Sequence, residues 1–239
     1  MGTARPIHIN PFPYRVFQKF WRGKAPPAQN LGGHGPPRPP RLLRHWQEKA
    51  ALLRDAPGVT RLVGVCCDKD PVWSLQLLQR AAPTVERLSV NHPREAHLRA
   101  VHAIPRLRRL YVSGDAALRL DPLELPALPP GHAGLQWLSV QNLPRATTQS
   151  LLRAHGGTLE ELELYVGTAG SGGWPYSCGD LLSLLEQSWL RALRRLVLRR
   201  GWCSHSAAAC REQRGNVRRV LPGTEVLCGS CVGVRAEWV

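Results

Sequence analysis

The sequence is short of lysine and methionine and has no long apolar run. Only four of its 32 basic residues are lysines, while Ala, Gly, Pro and Leu are abundant, a bias that a GC-rich coding sequence produces without any ligand. No stretch approaches the roughly 18–20 consecutive apolar residues that span a bilayer. The N-terminus lacks the apolar core of a secretory signal, and Pro6 stands where an N-myristoylation signal requires Ser or Thr. We therefore expect a soluble, intracellular protein, cytoplasmic or nuclear, that does not contact membranes.

Catalytic motifs are also missing from the sequence. There is no glycine-rich phosphate loop of the Walker or Rossmann type, no G-x-S-x-G and no H-E-x-x-H. The nine histidines are scattered, and none pairs with a serine or cysteine in a recognisable catalytic arrangement. We therefore predict that the protein is not an enzyme and needs no cofactor.

Basic residues are concentrated in the first quarter of the chain. Residues 1–58 hold 10 Lys and Arg against 2 acidic residues, which accounts for more than half of the net charge of +15. Phosphate binding requires such charges on a common face, so we favour the compositional explanation and expect no nucleic acid. A nucleic-acid-associated protein acting through its basic N-terminal tail remains the alternative function.

The first 58 residues divide into a tail and a helix. Residues 1–40 contain nine prolines and five glycines without helical or strand periodicity, which predicts a disordered tail. Residues 41–58 then show apolar side chains at helical spacing, which predicts an N-terminal capping helix. The helix carries Leu42, Leu43, Trp46, Ala50 and Leu53 on one face.

A six-residue apolar pattern, here called the hexad, recurs after this helix. Each hexad has an aliphatic first residue and a leucine at its fourth position. The hexads occupy residues 59–64, 85–90, 107–112, 135–140, 159–164 and 193–198. Helical segments are predicted between them at 72–81, 94–103, 145–154 and 180–189. A strand followed by a helix at intervals of 22 to 34 residues indicates an internal structural repeat.

The hexads VERLSV, LRRLYV, LQWLSV, LEELEL and LRRLVL resemble those of the leucine-rich-repeat family, particularly its ribonuclease-inhibitor-like class. The resemblance covers about residues 59–228 and implies an α/β solenoid over 59–239, with an inner parallel sheet, outer helices and a C-terminal cap. The asparagine of that family is replaced by Pro93, Asp115, Leu143, Gly167 and Gly201, so no asparagine ladder is expected. A compact α/β domain with similar parallel strands is the alternative, and residues 167–179 are predicted to be a flexible insertion.

Hexad geometry predicts a binding surface. The first, fourth and sixth residues point into the core, so the third, the fifth and the residue after the hexad project from the opposite face of the sheet. We predict that this face binds a protein partner, because it mixes arginine and aromatic side chains that are enriched in interface hot spots. The predicted partner-binding residues are Arg87, Ser89, Asn91, Arg109, Tyr111, Trp137, Ser139, Gln141, Glu161, Glu163, Tyr165, Arg195 and Arg199.

Irregular repeats of this length with few asparagines also resemble the repeat region of F-box/leucine-rich-repeat proteins. That resemblance implies a substrate receptor of a ubiquitin ligase, with an F-box-binding adaptor, a cullin and a ubiquitination substrate as partners. We also expect the chain to be a monomer. No F-box is legible in the proline-rich residues 1–40. The expectation is therefore a receptor or a truncated relative of one, and the sequence leaves open whether the N-terminal segment is native or replaces a lost F-box.

The seven cysteines are odd in number, which indicates free thiols in a protein without an export signal. Cys228-Gly-Ser-Cys231 has the spacing of half a zinc knuckle, and Cys203, His205 and Cys210 are the further candidate ligands. A second CxxC is missing. Small buried cysteines in the C-terminal cap are therefore the favoured interpretation, and no metal is predicted.

Overall fold

The computed structural model describes residues 7–8, 41–115, 121–170, 172–201 and 203–234. The strands are β1 (Ile7–His8), β2 (Arg61–Cys66), β3 (Arg87–Asn91), β4 (Arg109–Ser113), β5 (Trp137–Gln141), β6 (Glu161–Tyr165), β7 (Arg195–Arg199) and β8 (Glu225–Cys228). The helices are α1 (Arg41–Asp55), α2 (Pro71–Ala81), α3 (Glu95–His102), α4 (Arg145–His155), α5 (Leu181–Glu186), α6 (Ala207–Val220) and α7 (Gly229–Val232). The predicted disordered tail falls on residues 1–40, of which only Ile7–His8 is described.

All described strands form one parallel sheet in chain order, from β1 to β8. Parallel neighbours require a crossover connection, and helices supply most of these crossovers. The third hexad positions are aligned across the sheet. From β2 to β8 they are Arg61, Arg87, Arg109, Trp137, Glu161, Arg195 and Glu225. The predicted α/β class with an all-parallel sheet is confirmed, and the sequential strand order is consistent with a repeat solenoid.

The same main-chain contact recurs where successive strands begin. The Glu86 carbonyl accepts hydrogen bonds from the N–H groups of Arg108 at 2.9 Å and Arg109 at 3.0 Å. Four further carbonyls make the corresponding pair of bonds to the next strand, namely those of Thr60, Arg108, Gln136 and Glu160. The repeat seen in the sequence is therefore also a repeat of backbone geometry.

Beyond the strand ends, main-chain bonds join neighbouring turns without asparagine. His92 N–H donates to the Ser113 carbonyl at 2.7 Å, and Gly114 N–H donates to the Gln141 carbonyl at 2.8 Å. Each bond links the segment after one strand to the end of the next strand. These bonds satisfy polar backbone groups in the turns that follow the strands.

The core lies between the sheet and the helices. The fourth-position leucines of all six hexads are 0% or 1% exposed, and they are Leu62, Leu88, Leu110, Leu138, Leu162 and Leu196. Helix α2 contributes Leu77 and Leu78 to the same continuous cluster. Its start is fixed locally, because Asp70 Oδ1 accepts a hydrogen bond from Trp73 N–H at 3.1 Å and Pro71 occupies the first turn.

The first hexad departs from the predicted register. Leu62 pairs with Leu88, but Val90 pairs with Val65 and not with Val63 or Gly64. One extra residue in β2 causes this shift, as in a β-bulge. The sixth position of the first repeat is therefore the buried Val65, and the assignment of Gly64 to it was wrong.

Helices α1 to α4 cover the segments predicted to be helical, and α5 is shorter than its predicted segment at 180–189. Helix α6 and strand β8 were not predicted. Helix α6 has a mostly polar sequence, and its buried face consists only of Cys210, Gln213 and Val217, which is too few apolar residues to show a helical period. Strand β8 was missed because Gly223 replaces the aliphatic residue that begins the other hexads and Val226 replaces their fourth-position leucine. Within the described ranges, no helix has the length and hydropathy to cross a bilayer.

The insertion at 167–179 contacts the repeats on both of its sides. Trp174 Nε1 donates to the Leu143 carbonyl at 2.8 Å, and Ser204 Oγ donates to the Tyr176 carbonyl at 2.8 Å. Gly167 N–H also bonds to the Pro175 carbonyl at 2.8 Å. These contacts place the described part of the insertion against the repeats, and its flexibility stays a prediction.

Candidate functional site

The sheet face opposite the helices carries the predicted partner-binding residues, but only some are accessible. Arg87 is exposed, whereas Asn91, Arg109, Tyr111, Glu161, Tyr165 and Arg195 are half-buried. The other six were expected on the surface and are buried, which corrects the prediction. They are Ser89, Trp137, Ser139, Gln141, Glu163 and Arg199.

Close spacing of neighbouring strands accounts for much of this burial. Strands in a sheet lie about 4.8 Å apart, so long side chains of adjacent repeats contact one another. The Arg109 guanidinium lies 4.8 Å from the centre of the Trp137 ring, and Tyr111 Oη donates to Gln141 Oε1 at 3.0 Å. Burial raises the pKa of the Tyr111 hydroxyl, so it stays a hydrogen-bond donor at neutral pH. The face is therefore a packed polar layer, and only the outer side chains can touch a partner.

Glu163 and Arg199 form a buried ion pair within this layer. Arg199 donates through Nε to Glu163 Oε2 at 3.1 Å and through Nη2 to Oε1 at 2.7 Å, the two-point geometry that suits a guanidinium and a carboxylate. The side chains are 8% and 6% exposed. This pair fixes the position of β7 relative to β6 on the polar side of the sheet.

A groove of ≈ 240 Å³ lies where strands β3 to β6 begin. It is formed by two adjacent residues from each of four hexads, Glu86, Arg87, Arg108, Arg109, Gln136, Trp137, Glu160 and Glu161. Both charge signs are present along it. A surface of this kind suits a polypeptide with mixed charges better than a continuous row of phosphates.

A second site gathers four of the five candidate metal ligands at the C-terminal end. The ligand atoms of His205, Cys210, Cys228 and Cys231 all lie within 4.8 Å of one another. Cys231 Sγ is 3.4 Å from His205 Nε2 and 3.9 Å from Cys210 Sγ, while Cys228 Sγ is 3.7 Å from His205 Nε2. Cys203, the fifth candidate, is buried and lies outside this group.

Arg200 lies beside this cluster and was not identified from the sequence. Its side chain is 2% exposed, and Nη2 donates to Cys210 Sγ at 3.4 Å and to Gln213 Oε1 at 2.8 Å. Burial opposes ionisation of the Cys228 thiol, but hydrogen bonds from Arg200 and from nearby groups lower its pKa to about 6. Partial burial and hydrogen bonds with Cys228 and Cys210 raise the pKa of the Cys231 thiol to about 11. Of these two thiols, only Cys228 therefore has a lowered pKa, and thiolate is the form that binds metals.

Three buried or half-buried histidines lie together elsewhere, at the ends of α3 and α4 and in the segment before β5. The His155 ring is 5.5 Å from His102 and 5.9 Å from His132. Burial, with the neighbouring histidines, lowers the pKa of His155 to about 3. Its Nδ1 accepts the Leu135 N–H at 3.1 Å, and His102 Nε2 lies 2.8 Å from the Pro126 carbonyl. Burial keeps His102 and His155 neutral, and both rings contact main-chain groups, which is a structural role.

Comparison of the chain with models of known families, with curated proteins and with solved structures gave no match. No residue role is therefore transferred from a relative. The function has to be argued from the geometry of the sheet face and of the Cys/His cluster.

Proposed function

We propose that this chain is a non-enzymatic, leucine-rich-repeat interaction module that binds a protein partner on the sheet face opposite its helices. The observation that carries the proposal is the alignment of third hexad positions across seven strands. An aligned row of this kind gives a partner one long surface with regularly spaced side chains, which is how stacked repeats bind.

The accessible side chains of this face define the contact area. Arg87, Arg109 and Tyr111 lie on adjacent strands, and Tyr165 and Arg195 continue the surface toward β7. Arg and Tyr side chains combine apolar area with hydrogen bonding and dominate the energetics of many interfaces. Glu161 breaks the positive charge, so the surface fits a protein segment that carries both charge signs.

A more specific proposal follows from the F-box/leucine-rich-repeat resemblance. In that case the partner is a ubiquitination substrate, and an F-box-binding adaptor with its cullin joins the complex. Its support is the resemblance of the repeats alone. The basic-tail alternative concerns residues that lie almost entirely outside the described part of the chain, and it stays a prediction.

Affinity purification with mass spectrometry tests the proposal. The full chain is compared with a Tyr111→Ala/Tyr165→Ala variant and with Arg99→Ala, a control on the exposed surface of α3. We expect the double variant to lose the partner set and Arg99→Ala to keep it, at moderate as well as low salt. Partners that survive the double variant and disappear at moderate salt would favour the basic tail. Recovery of the adaptor and cullin would support the ligase proposal.

A further inference from the structure

We propose that His205, Cys210, Cys228 and Cys231 bind a single structural Zn²⁺ ion that holds the C-terminal cap together. This inference is independent of the proposed partner-binding function, because the four residues lie at the end of the repeat array. It also replaces the sequence-based expectation that the protein binds no metal.

Three of the six ligand–ligand distances match a tetrahedral zinc site, and all six lie within 4.8 Å. With Zn–S bonds of about 2.3 Å and Zn–N bonds of about 2.0 Å, sulfurs lie about 3.8 Å apart and a sulfur and nitrogen about 3.5 Å apart. Cys231 Sγ lies 3.9 Å from Cys210 Sγ and 3.4 Å from His205 Nε2. Cys228 Sγ lies 3.7 Å from the same nitrogen. The four ligand atoms already surround a space of the size of one ion.

The ligand types select zinc over other occupants. Three thiolates and one imidazole form the Cys₃His set of closed structural zinc sites. A disulfide does not explain the arrangement, because all seven cysteines are free and the Cys210 and Cys231 sulfurs are far beyond the roughly 2.05 Å of an S–S bond. Hard cations such as Mg²⁺ and Ca²⁺ prefer oxygen ligands.

Charge balance gives a second line of support. A Zn²⁺ ion with three thiolates carries one net negative charge, and a buried charge needs a partner. Arg200 is 2% exposed and donates to Cys210 Sγ, and among the described residues no carboxylate lies within ion-pair distance of it. Its guanidinium is anchored by the Val166 carbonyl at 2.7 Å and by Gln213. The buried arginine is explained if the cluster is an anion.

The four ligands join elements that have little core of their own. His205 precedes α6, Cys210 lies in its first turn, Cys228 ends β8 and Cys231 lies in α7. Helix α7 has only four residues, none of them buried. Such a short helix is not stable alone, so a metal that links it to α6 and β8 supplies the missing constraint.

Zinc content of the purified full chain is the first test. We expect one zinc ion per chain, and we expect Cys231→Ser to lose it. Cys203→Ser is the matched control, since Cys203 is a neighbouring cysteine outside the cluster, and it should keep the zinc. A folded wild-type protein that holds no zinc and takes up none on titration overturns the proposal. Equal zinc loss in both serine variants also overturns it.

Two further measurements separate ligand loss from misfolding. His205→Cys supplies a fourth thiolate and should retain zinc, whereas His205→Ala should bind it much more weakly. With zinc bound, Cys210, Cys228 and Cys231 should resist alkylation, and a chelator should make them reactive in the wild-type chain. Zinc retention by His205→Ala, or alkylation that does not change on chelation, contradicts the assignment.

Discussion

Individual residues on the sheet face are constrained more by their neighbours in adjacent repeats than by the hexad pattern. Trp137 and Arg109 are each the third residue of a hexad. Trp137 is nevertheless 2% exposed, whereas Arg109 is half-buried above the Trp137 ring. Glu163 and Arg199 likewise neutralise each other across two strands. The hexad predicts which side of the sheet a residue occupies, and only the neighbouring side chains determine its exposure.

The buried pair gives a prediction at this scale. Arg199→Ala leaves the Glu163 carboxylate buried without its main partner, so we expect a loss of about 3–5 kcal/mol in the free energy of unfolding. Arg195→Ala removes the arginine at the other end of the same strand, β7, which is half-buried and 3.6–3.8 Å from its carboxylates, and should cost about 0–1 kcal/mol. Denaturant unfolding of both variants measures the difference. Equal losses would show that the Glu163–Arg199 pair is no more important than a surface pair.

The secondary-structure elements show how far the sequence determines the fold. Aliphatic residues at fixed hexad positions predict six strands, because a buried strand imposes a short local pattern. The bulge in β2 and the strand β8 were not predictable in this way, since both depend on pairing with a distant neighbour. The five candidate metal ligands were named from the sequence, but the finding that four of them lie together needed the position of α6 against β8.

Two glycines provide the prediction at the scale of elements. A Cβ on Gly114 would lie 2.2 Å from the Asn142 carbonyl oxygen, so Gly114→Ala forces apart the turns after β4 and β5 and should cost roughly 1–3 kcal/mol. Gly215 lies inside α6 with no atom near its Cβ position, and Gly215→Ala should stabilise the chain by about 0.5–1 kcal/mol. Thermal unfolding should therefore shift in opposite directions. A destabilising Gly215→Ala would contradict the open environment of that helix face.

At the scale of the whole molecule, each described strand pairs only with its neighbours in chain order. In such an array, the free energy of unfolding is approximately the sum of the intrinsic stabilities of the repeats and of the energies of the interfaces between adjacent repeats. A compact domain behaves differently, because its strands share one cooperative core and protection is lost everywhere together. The solenoid and the compact α/β domain therefore differ in how many strands lose protection when one strand is destabilised.

Hydrogen exchange can distinguish them with one variant at each end. Val226→Ala in β8 and Val65→Ala in β2 both remove two methyl groups from fully buried positions, at a cost on the order of 2 kcal/mol. We expect Val226→Ala to reduce amide protection in β7, α6 and β8 while β2 to β4 stay protected, and Val65→Ala to show the reverse. If either variant lowers protection evenly from β2 to β8, the chain folds as one cooperative α/β domain and the solenoid interpretation fails. Local loss at each end would mean that the repeats fold as separable units, as a solenoid requires.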